Sequence, residues 1–156
     1  MKSIVKILLF VSVLTIVCFS CSKDDTTTSE PYTQMERDIN SLVNQHRISI
    51  GKSALTMNLV IYSQAKEHST NMATGKVPYS HDGSGARFDY IIANFGGTAY
   101  GENVAMGYTT AQAVVDGWLN STLHKQNIEY DFNYTAIGVA TSSNGTIYFT
   151  QIFIKK

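Results

Sequence analysis

The stretch that decides the fold class lies near the C-terminus, where residues 135–154 read TAIGVATSSNGTIYFTQIFI. Its two halves, 135–141 and 146–154, are rich in β-branched and aromatic residues, which favour extended strands. Asn144-Gly145 between them is typical of a tight hairpin turn. We therefore predict that the chain closes with an antiparallel β-hairpin.

Helical periodicity dominates the chain before this hairpin. Thr33 and Glu36 have the spacing of a capping box at the start of a first helix, which Gly51 ends. A second helix follows the N-cap candidate Asn58 and stops before Gly75. Both predicted helices have apolar residues at steps of three and four, so each one has a face that packs on a core.

Two shorter helices are predicted farther along the chain. Residues 87–94 form the third, and Thr110 opens a fourth that carries Trp118, a core residue, and reaches Ser121. Glycines between these helices are expected to prevent long regular structure; they are Gly96, Gly97, Gly101 and Gly107. Helices followed by a hairpin indicate an α+β layered domain rather than a doubly wound sheet.

The N-terminus has the pattern of an export signal. Two lysines flank the start of an apolar run over residues 7–19, which is shorter than the about 20 residues of a membrane-spanning helix. Ser20 before Cys21 resembles the lipobox of bacterial lipoproteins, although Cys18 stands where leucine is usual. We predict a signal peptide at 1–20 and a lipid on Cys21, with an ordinary cleaved signal as the alternative.

Composition limits what the exported part of the chain can be. The chain has twelve basic and twelve acidic residues, and loss of 1–20 removes two basic ones, which leaves a net charge of −2. This balance gives no basic surface for nucleic acid. No cysteine pair remains for a disulfide once Cys21 is acylated. We therefore expect a flexible tether at 21–32 and one packed domain at 33–156.

Four polar segments interrupt these elements and carry the candidate functional groups. They are Ser80-His81-Asp82-Gly83, Gly101-Glu102-Asn103, the segment from Trp118 to His124, and Tyr148-Phe149-Thr150-Gln151. The residues alone leave three interpretations of His81, Glu102 and His124 open. They bind a ligand, they take part in hydrolysis, or they hydrogen-bond one another and hold loops against the sheet. The hydroxyls nearest to these histidines belong to Ser80 and Ser121, and neither lies in a Gly-x-Ser-x-Gly motif.

Other polar residues are assigned to structure rather than to chemistry. His46 and His68 lie on helical faces and are expected to pack or cap. Asn103 and Gln151 are expected to satisfy backbone groups, because buried polar groups need partners.

The order of these motifs resembles the CAP superfamily of cysteine-rich secretory proteins, antigen-five allergens and pathogenesis-related plant proteins, in its compact bacterial form. Matching residues in the first two helices support this resemblance; they are Leu42, Asn44, Arg47, Ala65, His68 and Met72. The resemblance covers nearly all of 33–156. It implies an α–β–α sandwich whose small antiparallel sheet has about three strands, with the third strand at 103–107 or just before it.

The resemblance also implies a cleft with two histidines and two glutamates, which binds a divalent metal in some members. His81, Glu102 and His124 match three of these positions, and Ser121 stands where the second glutamate is expected. Two imidazoles and one carboxylate suit zinc with an open position, but the missing carboxylate weakens the hold on a cation. Zinc is thus a possible cofactor and not a required one. The expected ligand-binding residues are His81, Glu102, Asn103, Ser121 and His124.

Three functions remain open. The leading hypothesis is a monomeric, lipid-anchored binding module of the cell envelope, periplasmic or surface-exposed, that holds an apolar or amphiphilic ligand such as a lipid or sterol, or a surface protein. The second is a metal-assisted hydrolase of peptides or envelope polymers that uses His81, Glu102 and His124. The third is an adhesion or scaffold protein without small-molecule chemistry, which binds through loops 75–87 and 95–108.

Overall fold

The computed structural model describes residues 31–156 of the 156-residue chain. The predicted signal peptide, Cys21 and all but the last two residues of the predicted tether lie outside the described residues. The elements in chain order are α1 (Gln34–Ser49), β1 (Thr56–Met57), α2 (Leu59–Ala73), α3 (Ser84–Asn94), β2 (Ala99–Met106), α4 (Ala111–Leu119), α5 (Thr122–Glu129), β3 (Tyr134–Thr141) and β4 (Ile147–Lys155).

The helices cover both faces of the sheet, so the predicted α–β–α sandwich is confirmed. Alternation along β4 divides the core, because successive strand residues point to opposite faces. Phe149 and Phe153 pack with α1, α4 and α5, and Trp118 belongs to this same cluster. Ile152 and Ile154 pack on the other face, with α2 and α3.

The sheet has four strands in the order β1-β3-β4-β2, one more than predicted. The C-terminal hairpin is confirmed, and β2 pairs antiparallel with its second strand. The additional strand, β1, runs parallel to β3 through Thr56 and Met57 alone. The prediction missed β1 because two residues are too few to show a strand alternation.

The predicted helix starts are confirmed where a side chain caps the helix. Thr33 Oγ1 accepts from the Glu36 N–H at 3.3 Å, while the Glu36 carboxylate accepts from the Thr33 N–H at 2.7 Å. Asn58 Oδ1 accepts from the Val60 N–H at 2.8 Å at the start of α2. Thr110 caps α4 in the same way.

The segment from 84 to 129 differs from the prediction in three ways. Helix α3 begins at Ser84, three residues early, after Gly83 in a left-handed conformation. The expectation that glycines prevent regular structure was wrong at Gly101, which lies inside β2. Helix α4 ends at Leu119, and Ser121 is the N-cap of the unpredicted α5. A Cβ at Gly101 would lie 3.0 Å from the Phe132 ring and from Asn127 Oδ1, so a larger residue in this strand would crowd both side chains.

Side chains cover backbone groups at both edges of the sheet. β1 pairs with β3 only at Tyr134 and Thr135, so farther along, β3 is itself the edge. There the Val139 N–H donates to Glu36 Oε1 at 3.0 Å, and the Val139 carbonyl accepts from Lys66 Nζ. Along β2, the Glu102 carbonyl accepts from Asn127 Nδ2 at 3.1 Å, and the Val104 carbonyl from the Trp118 indole N–H at 3.3 Å. These contacts satisfy edge groups that a further strand would otherwise satisfy.

The chain enters the domain at Tyr32, whose ring packs edge-on against Tyr62 with 4.9 Å between ring centroids. Among residues 31–156, no helix has the length and apolar character needed to cross a membrane.

Candidate functional site

Glu102 lies at the centre of the candidate site, on β2, and its carboxylate is buried. Oε2 accepts from Arg87 Nε at 2.8 Å and from the Tyr100 hydroxyl at 2.6 Å. Oε1 accepts from Arg87 Nη2 at 2.8 Å and from His81 Nδ1 at 2.9 Å. Both carboxylate oxygens therefore have two partners each within the protein.

These partners keep Glu102 ionised. Burial by itself would raise the pKa of the Glu102 carboxyl, but the hydrogen bonds from Arg87 and Tyr100 and the charge of Arg87 outweigh burial and hold the pKa below its ordinary value. Burial and the adjacent carboxylate raise the pKa of Tyr100, so its hydroxyl stays a donor. Glu102 is an acceptor with no proton to give.

Arg87, in the first turn of α3, joins four parts of the chain. Besides Glu102, its Nη1 contacts His68 Nδ1 at 3.1 Å and donates to the Asp82 carbonyl at 2.8 Å. Its Nη2 also reaches the His81 carbonyl at 3.5 Å. A guanidinium has five N–H donors, and all of them are engaged here. Burial would lower the pKa of Arg87, but its bonds to Glu102 raise it above the ordinary value.

His81 is oriented by Glu102 and remains accessible. Its side chain is 51% exposed, in the loop between α2 and α3. Since the ionised carboxylate only accepts, His81 Nδ1 carries a proton, and in the neutral imidazole Nε2 is then the acceptor. The structure therefore brings together two of the predicted site residues, His81 and Glu102.

His68 also belongs to this cluster, although sequence analysis assigned it to packing or capping. It is buried on α2, with Nε2 at 3.0 Å from the Ser80 carbonyl. Because Arg87 Nη1 only donates, His68 Nδ1 accepts and Nε2–H donates, so the ring is neutral. Burial and the positive charge of Arg87 lower the pKa of His68.

Sequence reasoning missed Arg87 and Tyr100, and it expected His68 to pack or cap without connecting it to Glu102; His68 and Arg87 nevertheless carried a signal. His68 lies three residues after Ala65 and four before Met72, both buried, so it is on the inner face of α2. Arg87 lies one turn before the buried Ile91 on α3. Polar side chains on buried helix faces need partners, and a search for those partners would have pointed to Glu102.

Asn103 and His124 lie on the opposite face of β2. Asn103 is fully buried, its Nδ2 donates to the His124 carbonyl at 3.1 Å, and its Oδ1 accepts from Asn127 Nδ2 at 2.9 Å. Asn103 thus satisfies a backbone group, as expected, and holds α5 against the sheet. Gln151 does not, since its Nε2 donates at 3.3 Å to the side-chain hydroxyl of Thr135.

The suggested mutual hydrogen bonding of His81, Glu102 and His124 holds only for the first two. Among the hydrogen bonds of residues 31–156, those of His124 involve its backbone and not its ring. Burial and the nearby His81 lower the pKa of His124. His124 therefore does not join the hydrogen-bonded pair of His81 and Glu102, and it lines a neighbouring cleft.

That cleft has a volume of about 370 Å³ and lies beside the C-terminal half of β2. Its walls are mainly aromatic and apolar, formed by residues that include Tyr79, Met106, Tyr108 and Trp118. Ser121 and His124 add two polar groups. Tyr79 and Met106 are each 46% exposed. Ser121 makes no side-chain cap bond to α5, although it stands at the N-cap.

The residues of this site do not fit a divalent metal. Within residues 31–156, no three His, Cys, Asp or Glu side chains are grouped so that they could hold a metal ion. The physical reason is that Glu102, the carboxylate of the predicted set, already has both oxygens bound to Arg87. A metal would have to displace a buried guanidinium, which is strongly unfavourable.

Comparison with known proteins agrees with this architecture. The family model described as "Cysteine-rich secretory protein family" (CAP) matches residues 41–153. The chain belongs to the CAP family. The match covers most of the chain, so the predicted family is confirmed.

Individual CAP relatives give the same result. The uncharacterized protein YkwD of Bacillus subtilis is 34% identical over 144 residues, which are 88% of this chain and 54% of that protein. The chain thus spans about half the length of this relative. An extracellular SCP-domain protein of Bacillus anthracis is 27% identical, with a TM-score of 0.64, and the match covers 82% of this chain and 45% of that one.

An outer surface protein of Borrelia burgdorferi superposes with a TM-score of 0.67 at 18% identity, covering 80% of this chain and 96% of that one. At this identity the likeness shows the CAP fold alone.

Proposed function

We propose that this CAP chain is an exported, lipid-anchored, monomeric binding module whose cleft beside Trp118 takes an apolar or amphiphilic ligand such as a fatty acid or sterol. The description of the Bacillus anthracis relative as an extracellular protein supports the export. The signal pattern and Cys21 support the anchor.

The observation that carries this proposal is the contrast between the two parts of the site. Glu102 is buried and saturated by Arg87, Tyr100 and His81, so it has no free oxygen for a substrate proton or a metal. The cleft, in contrast, has accessible Tyr79 and Met106 at its wall. Apolar walls with few polar groups are typical of small-molecule sites.

Trp118 makes this proposal directly measurable. It is the only tryptophan of the chain and it lines the cleft. Titration of the mature chain carrying Cys21→Ser with oleate or cholesterol is expected to change its emission saturably. If no fatty acid or sterol in a broad panel changes the emission or binds by calorimetry, the proposal is wrong.

Matched substitutions locate the binding. Met106→Glu places a charge at the exposed wall of the cleft and is expected to weaken binding about tenfold or more, because a charge must then be desolvated. Ile48→Glu is the control, since Ile48 is 62% exposed on α1 and does not line the cleft. Equal weakening by both substitutions would place the ligand elsewhere.

Hydrolysis is a second candidate, favoured by one observation. Glu102 orients His81 through Nδ1, so that Nε2 of the neutral ring is an accessible acceptor, the arrangement of a general base. Ser80 does not serve as its nucleophile, since its hydroxyl accepts from the Asp82 N–H at 3.1 Å and donates to the Pro78 carbonyl at 3.3 Å. This candidate requires an activity on peptide or envelope polymer that His81→Ala abolishes while the fold is retained.

A further inference from the structure

We propose that Arg87 is the permanent cation of this site, and that its guanidinium occupies the acceptor atoms that a divalent metal would need. The protein would then keep the electrostatic arrangement of a cation-binding cleft while rejecting metal ions. The inference concerns Arg87 and its acceptors and does not depend on which ligand the neighbouring cleft holds.

The contacts of Arg87 are those expected of a bound cation. Glu102 supplies both oxygens at 2.8 Å, and His68 Nδ1 lies at 3.1 Å from Nη1. His81 does not contact the guanidinium through its ring; it donates from Nδ1 to Glu102 Oε1 at 2.9 Å and lies beside the pair. Carboxylate oxygens and an imidazole nitrogen are ligands that zinc prefers, and here Glu102 and His68 direct such atoms at a guanidinium.

Charge explains why the arginine and a metal exclude each other. Arg87 is buried, with 8% of its surface exposed, and pairs with a carboxylate that is also buried. A second cation beside it would repel the guanidinium in a region of low dielectric constant. Glu102 provides one negative charge, which Arg87 already balances.

A zinc ion holds its ligands at shorter distances than a guanidinium does, so we expect metal binding only when the arginine is removed. The acceptors stand 2.8 to 3.1 Å from the guanidinium nitrogens, whereas zinc holds nitrogen and oxygen ligands at about 2.0–2.2 Å. The shell must contract around a metal once the guanidinium is removed. His81 can move inward because it lies half-exposed in a loop.

The test compares the mature chain with its Arg87→Met variant, which keeps the length of the stem and removes the charge. Co²⁺ is the spectroscopic probe and Zn²⁺ the probe for thermal shift. In the variant we expect a visible cobalt absorbance and a Zn²⁺-dependent rise in Tm that EDTA reverses, with Zn²⁺ binding tighter than in the parent by about tenfold or more. In the parent chain, neither the cobalt absorbance nor the effect of Zn²⁺ on Tm is expected to change when Glu102 is replaced.

Two further variants make the result specific. Adding Glu102→Gln to Arg87→Met is expected to abolish the gained metal response, because the carboxylate is its main ligand. Arg87→Lys keeps a cation in place and is expected to refuse metal as the parent does. A gain in Arg87→Met that survives Glu102→Gln would mean that the metal sits elsewhere and would overturn the proposal.

If Arg87→Met does not fold with or without Zn²⁺, the metal response of the parent chain tests the proposal instead. Parent, Glu102→Gln and His81→Ala chains should then respond identically to Zn²⁺ and Co²⁺. A metal response of the parent that either substitution removes shows that Arg87 does not exclude metal. A folded Arg87→Met chain that binds no metal overturns the proposal equally.

Discussion

The Glu102 carboxylate is hydrogen-bonded by three other side chains. It receives hydrogen bonds from α3, from the loop after α2 and from its own strand through Arg87, His81 and Tyr100. A buried ion pair stabilises little in itself, but removal of one partner leaves the other charge buried and unpaired. This asymmetry can be tested.

Single substitution of the pair is expected to be costly, and double substitution less so than the sum. Arg87→Met or Glu102→Gln should each lower the free energy of unfolding by about 3–5 kcal/mol. The double variant should recover about 1–3 kcal/mol relative to additivity, because no unpaired charge remains. Urea unfolding of the four chains measures this cycle, and strict additivity would show that the two residues are not coupled.

The histidine next to Arg87 should make stability depend on pH. The pKa of His68 is lowered in the folded chain, so the unfolded chain binds the proton more readily below about pH 6.5. Stability is then fully present above that pH and falls as the pH is lowered toward the folded pKa. The pKa of Glu102 is also lowered, so the folded chain loses further stability as the pH falls below about 4.3.

His68→Gln is expected to reduce the loss of stability between about pH 7.5 and about pH 5.5. Glutamine keeps a donor for the Ser80 carbonyl and does not titrate. Urea unfolding at the two pH values measures the difference, and the variant at the higher pH is its own control for packing. A slope equal to that of the parent chain would mean that His68 does not carry the effect; the remaining slope includes His124, whose pKa is lowered too.

At the scale of elements, the close packing of α2 on the sheet depends on Gly138 in β3. A Cβ built there would lie 2.3 Å from the Ala65 carbonyl carbon and the Lys66 nitrogen, which are helix backbone. Backbone atoms cannot move aside as the end of a flexible side chain can. The glycine therefore sets the distance between helix and sheet.

Gly138→Ala is expected to destabilise the domain by about 3 kcal/mol or more, the upper range for overpacked cores. Gly85→Ala is the matched control, because Gly85 lies in α3 and a methyl group added there would meet no heavy atom within 4 Å. That change should be neutral or stabilising by up to about 1 kcal/mol. Thermal unfolding measures the stability of both variants, and a similar loss of stability for the two would contradict the packing argument.

The elements that sequence analysis predicted are those with strong local signals. Capping by Thr33, Asn58 and Thr110 and the hairpin at Asn144-Gly145 follow from neighbouring residues and could be read directly. Helix α5 follows α4 after only Asn120 and Ser121, so its start looked like the end of the preceding helix. For the same reason only half of the site could be predicted. His81 and Glu102 lie in recognisable sequence motifs, whereas Arg87 and His68 are distant from Glu102 in sequence and contact it or its partners only in the folded chain.

At the scale of the whole molecule, the predicted anchor sets where the domain can reach. Residues 22–31 span at most about 35 Å when fully extended, and Tyr32 is already packed on Tyr62. If Cys21 carries the lipid, Tyr32 stays within about that distance of the membrane.

Cys21→Ser is expected to move the protein from the membrane fraction to the soluble fraction without changing its fold. Cys18→Leu, which brings the signal closer to the lipoprotein pattern, is the control and should leave the protein anchored. Cell fractionation followed by mass spectrometry of the N-terminus measures both. A Cys21→Ser protein that remains membrane-bound would contradict the lipid anchor.

The covered edges of the sheet have a consequence for recognition. Glu36 and Lys66 hold both backbone groups of Val139, and Asn127 and Trp118 hold carbonyls of β2 on the opposite side. Partners that recognise a protein by adding a strand need such groups to be vacant. At these positions the backbone groups are already bonded within the domain, so an added strand would have to displace a side chain before it could pair there.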